Sequence, residues 1–108
     1  MAVTHENCPC METCPLNHAL SLIGGKWKMQ ILCSLYNNGP TRYNQLKKTL
    51  DGVSNTVLAN ALRELEVDGL VERQEYLEVP VRVEYRITEP CQRLIPILDQ
   101  LGIWSISL

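Results

Sequence analysis

Apolar residues recur every three to four positions through most of this chain, alternate briefly, and then return to helical spacing. Residues 1–13 show no such periodicity and read as a flexible, cysteine-containing arm. Cys14-Pro15 marks a helix start, because proline is preorganised for the first helical position and has no N–H to lose there. Leu16, Ala19, Leu20 and Ile23 follow on one face, and Gly24-Gly25 ends the segment. A second helix is expected from Lys26 to about Tyr36, with Trp27, Ile31, Leu32 and Leu35 on its apolar face, before the break Asn37-Asn38-Gly39-Pro40. Thr41 is the candidate cap of a third, short helix from Arg42 to about Leu50, whose inward residues are Tyr43, Leu46 and Leu50. After the turn Asp51-Gly52-Val53, Ser54 caps a fourth helix carrying Val57, Leu58, Ala61, Leu62 and Leu65 to about Asp68, with Gly69 as its stop.

Beyond Gly69 the period falls to two. Val83, Tyr85 and Ile87 face one way and Arg82, Glu84 and Arg86 the other, with Leu70 to Tyr76 as the antiparallel partner and a loop around Leu77-Glu78-Val79-Pro80. Two short helices joined by a glycine-containing turn form a helix-turn-helix, and a hairpin after it makes a winged helix. The expected fold class is therefore α+β and mostly helical, a winged helix-turn-helix in one domain over residues 14–108, flanked by N- and C-terminal helices that dimerise. The last helix starts at Thr88-Glu89-Pro90, with Pro96 expected to kink it. Leu94, Ile97, Leu98, Leu101, Trp104 and Leu108 form its stripe, and Ile95, Ile103 and Ile106 lie outside that stripe. A helix apolar on more than one side needs more than one neighbour. Leu16, Leu20, Leu94, Leu98, Leu101 and Trp104 are the positions expected to meet a second copy of the chain.

Composition narrows the function classes. At 108 residues, 45% hydrophobic and 20% charged, the chain has an ordinary globular composition with room for one domain and none for a separate catalytic one. It contains no membrane-length apolar run, and Met1 to Glu6 lacks the basic and apolar regions of a signal peptide, so a cytoplasmic location is expected. No Ser/His/Asp motif, phosphate-cradling glycine loop or His-Glu-x-x-His occurs; an enzyme is not expected, nor is a cofactor. The net charge of −2 runs against nucleic-acid binding only weakly, since a phosphate responds to a local patch and not to the whole chain.

Cys14-Pro15-Leu16, Leu22-Ile23-Gly24-Gly25-Lys26-Trp27, Gly39-Pro40, Arg42-Tyr43-Asn44-Gln45-Leu46, Leu62-Arg63-Glu64-Leu65-Glu66, Asp68-Gly69-Leu70-Val71 and Val79-Pro80-Val81-Arg82-Val83-Glu84-Tyr85 occur in this order. This series resembles the HxlR family of bacterial transcriptional regulators over nearly the whole chain from Cys14. The resemblance implies a fold similar to MarR-type winged helices, a homodimer, repression or activation of nearby genes, and sensing of an electrophile or oxidant through Cys14. The chain departs from the family pattern at Pro80-Val81, where two prolines are common, and at Thr88-Glu89-Pro90-Cys91, where a glycine is common. Cys8 and Cys10 are not a general family feature.

A helical wheel of the fourth helix sets Leu58, Leu62 and Leu65 against Thr56, Asn60 and Arg63. The outward three have the chemistry for base edges, arginine for guanine, asparagine for adenine and threonine for either. Ser54 and Asn55 at the helix start suit phosphates. Arg42, Lys47 and Lys48, with Arg82 and Arg86 on the wing, are expected to add backbone contacts. A two-fold dimer doubles these sites and calls for double-stranded DNA carrying an inverted repeat. Taken singly, Arg63 and Arg86 have a plainer reading, as partners of Glu66 or Glu84 on a solvated face.

Five cysteines include three crowded together, Cys8, Cys10 and Cys14. Cys14 at a helix start favours the thiolate, and Cys8 or Cys10 is placed to resolve its oxidised form. Two other uses are open, a metal site from His5, Cys8, Cys10 and Cys14, or a capping Cys14 beside inert thiols. Cys33 and Cys91 read as small buried hydrophobes. A ligand-responsive regulator without redox chemistry and a winged helix serving only protein contacts are the rival functions.

Overall fold

The computed structural model describes residues 14–108, so the expected arm over residues 1–13, with His5, Cys8 and Cys10, lies outside the described residues. The elements are α1 (Pro15–Ile23), α2 (Lys26–Asn38), β1 (Thr41–Arg42), α3 (Tyr43–Thr49), α4 (Asn55–Val67), β2 (Val71–Tyr76), β3 (Arg82–Ile87) and α5 (Glu89–Ile106). Five helices and a small antiparallel sheet of order β1-β3-β2 make up the domain, and the architecture is a winged helix.

The boundaries follow from local chemistry. Ser54 accepts a hydrogen bond from the Val57 N–H at 3.1 Å, satisfying one of the four orphan donors at the start of α4. The end of α4 is a Schellman motif. The Leu70 N–H reaches the Leu65 carbonyl at 2.9 Å and the Gly69 N–H reaches Glu66 at 3.1 Å, with Gly69 at φ +82°, which glycine alone adopts without cost. Leu65 and Leu70 are both in the core, the apolar contact that usually accompanies this cap. Thr88 caps α5 by accepting from the Cys91 N–H, and its hydroxyl donates to the Gly69 carbonyl at 2.7 Å, tying the start of α5 to the α4–β2 corner.

The core is one cluster. Ile31, Leu32 and Leu35 of α2, Leu46 of α3 and Leu58, Leu62 and Leu65 of α4 are buried together with Leu50, Val53, Val71 and Cys91. Trp27, Tyr43, Tyr85, Ile87, Leu94 and Leu98 pack around it. Removing one of the fully buried leucines costs about 2–5 kcal/mol through lost transfer energy and the cavity left behind.

Several expectations need correction. Thr41 does not cap α3. It is buried in β1, opposite Tyr85 on β3, and its hydroxyl donates to the Gly39 carbonyl at 2.8 Å. Arg42 occupies the cap position without a capping side-chain bond, and α3 runs Tyr43–Thr49. The second helix continues past Tyr36 to Asn38 because Gly39, at φ +72°, closes it. Cys33 is exposed, unlike Cys91, because it faces away from the α2 stripe of Ile31, Leu32 and Leu35. On α5 the expected stripe is rotated. Cys91 and Ile95 are the buried pair, Leu94 and Leu98 are partly covered, and Ile97, Leu101, Trp104 and Leu108 are exposed. Residues Glu89–Ile106 form one helix with Pro96 inside it.

Past Leu98 every residue of α5 is exposed, and on α1 only Ile23 is buried while Leu16 and Leu20 are each 49% exposed. The radius of gyration, 15.7 Å, exceeds the roughly 13 Å of a compact chain this long because these helices project. No helix among the described residues is long and apolar enough to cross a membrane.

Candidate nucleic-acid interface

The α3–turn–α4 unit presents a fixed polar stripe. With Leu58, Leu62 and Leu65 buried, helix geometry leaves Thr56, Asn60 and Arg63 exposed on the far side, as the wheel required. Val67 continues the same stripe and is 80% exposed. Gly52, at φ +88°, turns the chain tightly between the two helices. The start of α4 is held twice, by the Ser54 cap and by Tyr43, whose hydroxyl donates to the Asn55 backbone carbonyl at 3.1 Å and lies 3.3 Å from its side-chain oxygen. The sequence pattern reads Tyr43 as a core residue. Its ring does pack on the core, and its hydroxyl pins the recognition end of α4.

The cations divide by element. Of the ten lysines and arginines, Lys28, Arg73, Arg82, Arg86 and Arg93 make ion pairs. The other five, Lys26, Arg42, Lys47, Lys48 and Arg63, make none among the described residues, and all five lie between the start of α2 and the middle of α4. Arg63 therefore does not pair with Glu66. Lys47 and Lys48 close the last turn of α3, where the helix dipole favours positive charge. Lys26 is not among the cations expected at DNA. It lies 4.8 Å over the Trp27 ring, on the rim of a shallow groove of about 250 Å³ that also touches Val57 and Asn60 of α4. Lys28 bridges α2 to α4 through Glu64 at 2.9 Å.

The wing arginines are differently placed. Arg86 and Glu72 face each other across β3 and β2, with both Nε and a terminal nitrogen 3.0 Å from one carboxylate oxygen. Arg82 stacks 4.0 Å over Tyr76, its cross-strand partner, and pairs with Glu78 at 3.0 Å and Glu84 at 3.8 Å. Its Nε is buried without an acceptor among the described residues. Arg73 is held further into its charged form by Tyr85 and then by Glu75, 3.4 Å away.

Cys14 is buried at the cap of α1. Cys91 is fully buried at the start of α5, and burial, with a lesser push from Cys33, raises its thiol to about 11. No group of three metal ligands occurs among the described residues.

A capped, pinned helix carrying Thr, Asn and Arg outward from a three-helix core beside a β-hairpin defines a winged helix-turn-helix transcriptional regulator, a DNA-binding class of protein. More specifically, the chain belongs to the HxlR-like helix-turn-helix family, whose model matches residues 22–107. It is 43% identical over 97 residues to an uncharacterized HTH-type transcriptional regulator of Halalkalibacterium halodurans, spanning 90% of this chain and 86% of that one. The redox regulator HypR in its oxidized form is similar at a TM-score of 0.79 and 38% identity, covering 88% of this chain and 97% of that chain. The reduced form of the transcriptional regulator YodB from B. subtilis is similar at a TM-score of 0.79 and 35% identity, covering 86% and 91%.

Proposed function

We propose that this protein is a homodimeric, sequence-specific regulator that reads an inverted repeat and is switched by thiol chemistry at Cys14. The observation carrying the DNA reading is the exposed Thr56–Asn60–Arg63 stripe on a helix whose start is fixed by Ser54 and Tyr43. In this reading the three side chains meet base edges, while Ser54, Asn55, Arg42, Lys47 and Lys48 meet phosphates. Leu16 and Leu20 of α1 and Leu101 and Trp104 of α5 meet a second copy, with Leu94 and Leu98 bridging to the core.

The thiol switch rests on the position of Cys14 at the start of α1, and on the likeness to a redox regulator. The Cys14 thiolate takes an oxygen from a hydroperoxide, which leaves as the alcohol. The sulfenic acid then condenses with the thiol of Cys8 or Cys10, forming a disulfide and releasing water. Tethering the arm shifts α1, and with it the spacing of the two recognition helices.

The test is a titration against DNA from upstream of its own and adjacent genes, in reduced and peroxide-treated states, with random duplex as control. Preference for the upstream DNA that peroxide abolishes, and that Cys14→Ser makes indifferent to peroxide, is the expected result. Preference unaffected by peroxide removes the switch and keeps the DNA reading. A Cys14→Ser variant that still responds assigns the response to another site, as in a ligand-responsive regulator. No preference and no salt dependence in either state would leave a protein-contact module.

A further inference from the structure

The wing is the element whose charges differ most from what a phosphate-binding arm needs. Over residues 71–87 it carries Glu72, Glu75, Glu78 and Glu84 against Arg73, Arg82 and Arg86, four acids to three bases. The helix-turn-helix over residues 41–67 carries Arg42, Lys47, Lys48 and Arg63 against Asp51, Glu64 and Glu66, and Glu64 is taken up by Lys28 of α2. Each wing arginine is in contact with a carboxylate, whereas the four helix-turn-helix cations pair with none among the described residues. We infer that Glu72 limits the affinity of this protein for DNA, by occupying Arg86 and by standing beside any phosphate that Arg86 reaches. This inference rests on the DNA-binding reading above and assigns the electrostatic part of that binding to α3 and α4.

Geometry, and not the strength of the pair, sets this limit. Arg86 and Glu72 are both half-exposed, and such a surface pair is worth little to the fold, so a phosphate can compete for Arg86. Cross-strand register fixes the two side chains opposite each other, however, so a phosphate taken by Arg86 lies within a few ångströms of the Glu72 carboxylate. Binding releases a condensed counterion only where net positive charge meets the duplex. An arginine accompanied by its carboxylate supplies none. Arg82 is more constrained still, since its guanidinium is stacked on Tyr76 and bracketed by Glu78 and Glu84. The wing therefore sits beside DNA as a nearly neutral hairpin, and Glu72 is the carboxylate whose removal frees a cation with room to move.

A random-sequence duplex of about 30 base pairs serves as the probe, since the electrostatic part of binding is independent of sequence. Dissociation constants across a salt series are compared for the wild type, Glu72→Gln, Arg86→Gln, the double variant and Lys48→Ala, with unchanged circular dichroism confirming the fold of each. Glu72→Gln is expected to tighten binding several-fold at low salt and to steepen the salt dependence by about one counterion per chain. Arg86→Gln leaves the salt slope as it was, Lys48→Ala flattens it by about one, and the Glu72→Gln gain disappears in the double variant. Arg86→Gln flattening the slope as much as Lys48→Ala, or Glu72→Gln changing nothing, overturns the inference while the DNA reading stands. A wild type without salt-dependent binding to any duplex overturns both.

Discussion

At Cys91 a thiol sits where the pattern of the chain asks only for a small apolar residue. It is fully buried at the third position of α5, where an exposed thiol would be acidified by the helix start, yet burial wins and holds it to about 11 against an ordinary 9.0. A group whose folded pKa is raised contributes stability that is complete below its unfolded value and fades as pH rises through the folded one. The protein should therefore lose stability between pH 9 and about 11 in a way that a Cys91→Ala variant does not. Denaturation midpoints across that range test this, and parallel curves for the two proteins would refute it. Other single residues resisted reading from sequence for a related reason. Local pattern reads Thr41 as a cap and Cys33 as buried, but Thr41 lies in a two-residue strand and Cys33 on the open side of α2, both decided by tertiary packing. The α4 stripe was legible because burial of Leu58, Leu62 and Leu65 fixes the opposite face through helix geometry alone.

Among the elements, α5 shows what periodicity can and cannot say. Its apolar residues lie on more than one side, so a single stripe drawn through them mixes positions buried in the domain with positions that the domain leaves exposed. The edge at Cys91, Ile95, Leu94 and Leu98 belongs to the core, and the covered part ends at Leu98. Ile97 (63% exposed), Leu101 (51%) and Trp104 (59%) share one face and form an apolar surface too continuous to be left in water by a small domain. In the proposed dimer this surface and Leu16 and Leu20 of α1 are covered by the second copy. Leu101→Asp would then bury a charge in that interface while leaving the domain's own core untouched. The expected outcome is a folded monomer by sedimentation, with an unchanged helical spectrum and at least tenfold weaker binding to paired half-sites. A Leu101→Asp protein that remains dimeric would place the interface elsewhere. The sheet was only half legible for a different reason. The β2–β3 hairpin announces itself by alternation, whereas β1 is too short to carry a period, and pairing with β3 alone makes it a strand.

For the whole molecule, the overall charge of −2 conceals a difference between regions: the cations that make no ion pair among the described residues all lie from α2 to α4, whereas each wing arginine is matched to an acid. A single copy offers few phosphate contacts, and each is weak at physiological salt. In the proposed dimer, two copies joined through α1 and α5 would present two such faces at a fixed separation, so the second half-site would be met at a high effective concentration. The gain depends on phase. Recognition helices held rigidly about one helical turn apart, roughly 34 Å, meet both half-sites only when these lie on the same side of the duplex. Inserting about five base pairs between the half-sites turns one of them to the far side, beyond the reach of helices anchored by packed leucines and a tryptophan. Affinity should then fall to that of a single half-site while binding to each half-site survives, which footprinting on the two duplexes would reveal. If the lengthened site is bound as tightly as the original, the two recognition helices are not rigidly coupled. A change in their spacing at Cys14 would then have no means of acting on the DNA.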